Sequence, residues 1–325
     1  MSSSVNYVLN TIYRRRTICM KIIISKYKKV ADFCYELFRI SELPLYFSKF
    51  SNKIYSNFQK LFLLVYKQFR KFTYEDLLTD IADNETLRIY LGLNKIPDYT
   101  TLIKFAKSLP MNICEKLVLA FKKIIPEPER VAIDSTGISL DNASPHYCKR
   151  IGLSVKKRPF MKTTFVVDID HYLILLCKMR KGHRNDMKEA KPMIKKLSRH
   201  YKKIEQFYAD RGYDDSEVFR LVFEWLNAYA LILQRRLDVP KHRRKGEYRK
   251  FMYDIFDYGE YLQRNKIETC NSMFKKRFGS SAKSRHHKCQ KIEVFLRVVA
   301  FNIDRLIRMG TEILIVFIRI SRVSY

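Results

Sequence analysis

After Pro126 and Pro128 the apolar pattern of the chain changes period, and the order of the segments that follow leaves few folds open. ERVAIDSTGISL carries a short β-branched run that ends at Asp134. KTTFVVDIDHYLILLCKMRKG reads as two strands joined at Asp170–His171. The stretch from Asp186 to about His200 has helical spacing, IEQFYADRGYDD is a strand ending in Asp210, SEVFRLVFEWLNAY is a helix and ALILQRR a further strand. A basic loop, PKHRRKGEYRK, precedes a helix around Tyr261, and QKIEVFLRVVAFNIDRLIR is a last long amphipathic helix. This order predicts an α/β fold with a mixed sheet flanked by helices.

Upstream, residues 1–30 are polar and basic, and from about 30 to 125 the apolar residues recur at three-to-four spacing. Thr73 three residues before Asp76 predicts a capping box, and Pro97–Asp98 predicts a helix start. The expected domains are therefore an all-helical, DNA-binding region over 1–125, an α/β catalytic domain over 126–310 and a tail over 311–325.

Charge narrows the partner. The chain has 63 Lys and Arg against 33 Asp and Glu, a net charge of +30. Residues 1–130 hold 22 of the basic and 12 of the acidic residues, so both halves are basic and no tail carries the excess. A polyanion is implied, with nucleic acid first and an anionic membrane surface second. The first 30 residues lack an apolar run of signal-peptide length, and Ile313–Ile318 is too short to span a bilayer. A soluble protein of the cytoplasm, associated with the nucleoid when bound to DNA, is expected. The seven cysteines include no CxxC pair and read as buried or free thiols; His286, His287 and Cys289 lack a second ligand pair for zinc.

The candidate site is a set of acids. Asp134 and Asp210 each follow an apolar strand and precede a polar turn, DST in one case and DRGYD in the other. Strand ends are where sites form in open α/β sheets. The third acid lies in YLQRNKIETCNSMFK. On a helix, Tyr261, Arg264, Glu268 and Lys275 fall within about 60° of one another, with Ile267, Cys270, Phe274 and Phe278 roughly opposite. One carboxylate among cationic and phenolic groups suits phosphate chemistry, whereas the plain reading is an amphipathic helix with a solvated face. Together Asp134, Asp210 and Glu268 are an appropriate ligand set for two Mg²⁺ or Mn²⁺ ions, Asp134 bridging, Asp210 and Glu268 binding one each. Arg243, Arg244 and Lys245 in the basic loop are expected to contact phosphate, and Lys156, Lys157 and Arg158 form a smaller basic cluster. Arg264 and Lys275 lie about 6 and 10 Å along the helix axis from Glu268, a spacing that suits phosphates flanking the scissile one.

The spacing Tyr261, two residues, Arg264, three residues, Glu268, six residues, Lys275 resembles the signature around the last acid of DDE transposases from bacterial and archaeal insertion sequences. DST at Asp134 and ADRGYD at Asp210 look like the first two acidic motifs of that family, and LGLNKIPDYTTLIKF resembles the segment before its catalytic domain. The resemblance runs from about 85 to 300 and is weakest across 140–200. Many relatives have His-Asp after the third strand where this chain has Asn185-Asp186, with His183 nearby, so His183 and Asp186 stay outside the catalytic set. The resemblance implies a ribonuclease H-like fold, metal-dependent cleavage at terminal inverted repeats, strand transfer to target DNA, double-stranded DNA as partner and a homodimer in the DNA complex. It implies that Tyr261 meets a displaced nucleotide. The rival readings are a nuclease of the same fold without strand transfer and a non-catalytic DNA-binding protein derived from a transposase.

Overall fold

The computed structural model describes residues 27–140, 150, 152, 160–182, 187–235 and 238–311. Lys156, Lys157, Arg158, His183, Asp186 and the apolar run at 313–318 lie outside them. Five strands form one sheet in the order β3-β2-β1-β4-β5: β1 Arg130–Ser139, β2 Phe160–Asp168, β3 Leu173–Lys181, β4 Gln206–Ala209 and β5 Tyr229–Ile232. β2 pairs antiparallel with both β1 and β3, while β4 pairs parallel with both β1 and β5. This is the mixed sheet flanked by helices that the sequence order predicts. The Val, Ile, Leu and Phe of β1, β2 and β3 are buried in nearly continuous runs, as strands covered on both faces require.

The helices before the sheet are α1 (27–40), α2 Asn57–Arg70, α3 Tyr74–Asp83, α4 Glu85–Leu91, α5 Tyr99–Ser108 and α6 Met111–Ala120. The predicted caps form. Thr73 Oγ1 accepts from Asp76 N while Asp76 Oδ2 accepts from Thr73 N, and Asp98 accepts from Thr100 N at the head of α5. Between and after the later strands lie α7 Met187–His200, α8 Ser216–Leu221, α9 Glu247–Asp254, α10 Tyr258–Tyr261, α11 Asn265–Phe278 and α12 His287–Arg308. The helix α9, in EYRKFMYD, begins inside the stretch read as a basic loop; at eight residues its period is hard to distinguish from loop sequence.

α12 is the element on which both halves pack. Its faces touch α2, α5 and α6 on one side and β3 and α11 on the other. The buried core therefore runs without a break from Val30 to Leu306. Arg297, almost wholly buried, donates to Gln68 of α2, to the Gly279 carbonyl and to Glu293. Toward the sheet, Asn302 has no exposed surface and uses its amide both ways on Ile174, accepting from N at 2.9 Å and donating to O at 2.8 Å. Ile174 adjoins the bulge where the β2–β3 register slips, so Asn302 satisfies backbone groups that the ladder leaves over.

Candidate active site

The two aspartates are brought level by strand register. The last pairs of the parallel ladders are Ile133↔Ala209 and Ala209↔Ile232, and Asp134 and Asp210 are the next residues on β1 and after β4. Asp134 is not at a strand end. β1 continues to Ser139 because β2 is long enough to pair with it throughout, Asp134 facing Phe165. The expectation that both acids close their strands therefore holds for Asp210 and is corrected for Asp134. What they share is the level at which the parallel ladder stops.

Local bonds fix each acid. Asp210 Oδ1 accepts from Gly212 N at 2.8 Å in the turn that starts the 3₁₀ segment Arg211–Tyr213. A Cβ on Gly212 would stand 2.8 Å from that same oxygen, so the turn needs glycine for close approach and not for a special φ. Ser135 Oγ lies 2.8 Å from Thr164 Oγ1 on β2 and 3.3 Å from the Tyr213 hydroxyl, which ties the Asp134 strand to the Asp210 turn.

Glu268 arrives on α11. The chain from Tyr258 to Phe278 is α-helical at each end but tightens to a 3₁₀ turn over Leu262–Arg264, which corrects the expectation of one continuous helix. A 3₁₀ turn advances about 20° more per residue than an α-helix, so Tyr261 is rotated by roughly 60° toward the apolar side. It is accordingly buried against Phe256 and Tyr258, and burial pushes its phenol pKa up, Asp210 adding to the rise and Arg264 opposing it. Arg264 reaches the acid itself, Nη2 donating to Glu268 Oε1 at 2.6 Å, so its nearest partner is Glu268. Glu268 is more than half exposed and Lys275 partly buried.

Sequence reasoning passed over Asn271. Its Nδ2 donates to Asp134 Oδ2 at 3.0 Å, bridging α11 to β1. On the helical projection Asn271 falls at the border between the acidic and apolar faces, and a polar residue there was the available signal. The end of α11 is tied to the same strand: Ser139 N donates to Ser280 O and Ala282 N to Ser139 O.

The Asp134 carboxyl responds to both of the other acids. Burial pushes the Asp134 carboxyl up to about 6; a Ser135 backbone hydrogen bond opposes this, Asp210 and Glu268 add to it and Arg264 works against it. A buried carboxyl among other carboxylates is a site that gains from a cation, and three hard oxygen donors fit Mg²⁺ or Mn²⁺. Among the described residues no three His, Cys, Asp or Glu side chains close around a single point, and Glu268 is turned toward Arg264. The donor chemistry of these residues thus fits a divalent ion, and the Glu268 carboxylate is paired with Arg264.

The basic segment divides. Arg243 and Lys245 are exposed, but Arg244 is buried, donating to Gln234 Oε1 at 2.9 Å and covering the Tyr253 ring. Its side chain holds the segment together, which corrects its expected place on the phosphate-facing surface. Arg249 pairs with Asp214, two residues beyond Gly212, through Nε and Nη2 at 2.6 Å each. His286, His287 and Cys289 form no group of three metal-binding side chains with their neighbours among the described residues, and the five described cysteines are free. No helix among the described residues is long and apolar enough to cross a membrane.

The family model described as "Transposase DDE domain" matches residues 125–303, more than half of the chain. The chain belongs to the DDE transposase family. The match begins just before β1 and ends in α12, so it takes in Asp134, Asp210 and Glu268. Among solved structures, the chain is similar to a piggyBac transposase in a synaptic complex with hairpin DNA. The TM-score is 0.47 at 11% identity, over 90% of this chain and 76% of that one. No curated protein matches it at the sequence level.

Proposed function

We propose that the protein is an insertion-sequence transposase that binds terminal inverted repeats, cuts them by metal-dependent hydrolysis and joins the freed 3′-hydroxyl to target DNA. The observation that carries this reading is the placement of Asp134 and Asp210 just past the last pair of the β1–β4 ladder, Ile133↔Ala209, with the Glu268 helix bonded to Asp134 through Asn271. Asp134, Asp210 and Glu268 would hold two Mg²⁺ or Mn²⁺ ions, whose role when bound is to stabilise the attacking and leaving oxygens of an in-line phosphoryl transfer. The chain's own part is to hold these carboxylates at one level and to position DNA phosphates. Arg243 and Lys245, exposed, suit phosphate contact; Lys275 and Arg264 lie on the Glu268 side, Arg264 paired with the Glu268 carboxylate. Tyr261 supports the site from beneath through its buried ring, a role short of stacking on a displaced base. The partner is double-stranded DNA, and the active form on paired ends is a homodimer. The 1–125 region adds basic surface around the catalytic domain at 126–310.

A nuclease of the same fold would share every one of these features up to the joining step. The experiment that separates the two supplies pre-cleaved end DNA with a 3′-hydroxyl, a plasmid target and Mg²⁺. Joined products support the transposase; hydrolysis alone leaves the nuclease.

A further inference from the structure

We propose that Asn271 is a positioning residue for the metal site: it fixes the Asp134 carboxylate and sets the spacing between the first and third acids. The proposal rests on the reading of Asp134, Asp210 and Glu268 as the metal-binding set. Three observations carry it. Asn271 Nδ2 donates to Asp134 Oδ2 at 3.0 Å, and a carboxylate acceptor dictates that the amide nitrogen, not its oxygen, faces Asp134. The side chain is only 7% exposed, and its Oδ1 is buried with no hydrogen-bond partner among the described residues. A buried amide with one end unsatisfied is a poor packing residue, since an apolar side chain of similar shape would fill the space without the lost solvation. What it supplies here is its donor to Asp134. Finally, Asn271 follows Glu268 by less than one helical turn, so the bond to Asp134 carries the Glu268 backbone with it. Groups that orient ligands in this way typically affect metal affinity by about 10–100-fold.

The test uses the full-length protein and the metal alone. Mn²⁺ binding is measured by calorimetry for wild type, Asn271→Leu, Asn271→Ser and Asp134→Ala, with metal-free melting temperatures alongside and cleavage followed as Mn²⁺ is raised. The expected result is Mn²⁺ affinity about tenfold or more weaker in both Asn271 variants, metal-free melting unchanged or higher in Asn271→Leu, and cleavage recovering at high Mn²⁺. Wild-type affinity in both variants, with Asp134→Ala losing it, overturns the proposal and leaves the three-acid reading standing. Weakened binding accompanied by lower metal-free melting in both variants also overturns it, making Asn271 a packing residue. If Asp134→Ala binds like wild type, the three-acid reading fails and the proposal with it.

Discussion

Removing the charge at Asp134 should change how stability depends on pH. Its carboxyl is pushed from 3.8 to about 6, first by burial and then by the carboxylates of Asp210 and Glu268. Between those two values the folded protein binds a proton that the unfolded chain has released, so stability falls as pH rises through the window and the loss is complete above about 6. A shift of about two pH units corresponds to roughly 3 kcal/mol at 1.36 kcal/mol per unit. Asp134→Asn keeps the shape and the Asn271 contact but cannot ionise. The assay is urea denaturation of both proteins in EDTA at pH 5 and pH 8. Wild type should lose about 1.4 kcal/mol more than the variant between these conditions, because only about one pH unit of the window lies above pH 5. Adding Mn²⁺ at pH 8 should restore most of the wild-type loss and have little effect on the variant. Parallel pH dependence in the two proteins would show that Asp134 carries no desolvation stress and would refute the reasoning.

Other consequences follow from particular contacts. Gly212→Ala places a methyl 2.8 Å from Asp210 Oδ1, so the carboxylate must shift; Mn²⁺ affinity by calorimetry should drop about tenfold with little change in melting. Asn302→Leu leaves Ile174 N and O unpaired inside the core, and urea denaturation should show a loss of about 3 kcal/mol without loss of metal affinity. Replacing Arg243 and Lys245 together should reduce the slope of log affinity for end DNA against log salt by about 2, whereas Arg244→Ala should lower the melting temperature instead.

Aspartates after apolar strands and a helix with one acidic stripe leave local marks in the sequence, and the structure sets Asp134 and Asp210 level past the last β1–β4 pair. Asp210 behaves as read. Asp134 does not end its strand, because the length of β1 is set by pairing with β2, a partner some thirty residues away along the chain. The phase of Tyr261 was misjudged for a different reason: the 3₁₀ turn at Leu262–Arg264 alters the projection, and neither glycine nor proline marks it. Arg244 looked like its neighbours in a basic run, yet Gln234 and Tyr253 draw it inward through contacts that no local pattern encodes. The Asn271–Asp134 bond spans 137 residues and could be suspected only from a polar residue at the edge of an apolar face.

The central claim, that Asp134, Asp210 and Glu268 act together as the metal-holding acids of DNA cleavage, is tested most directly by single-turnover cleavage of labelled end DNA in Mg²⁺. Wild type is compared with Asp134→Ala, Asp210→Ala and Glu268→Ala, and end binding is measured on the same preparations. Each variant should bind DNA nearly as wild type does and cut it no faster than background, because each has lost a metal ligand and not a phosphate contact. Robust Mg²⁺-dependent cleavage by any one of the three would remove that residue from the set and contradict the account of the site.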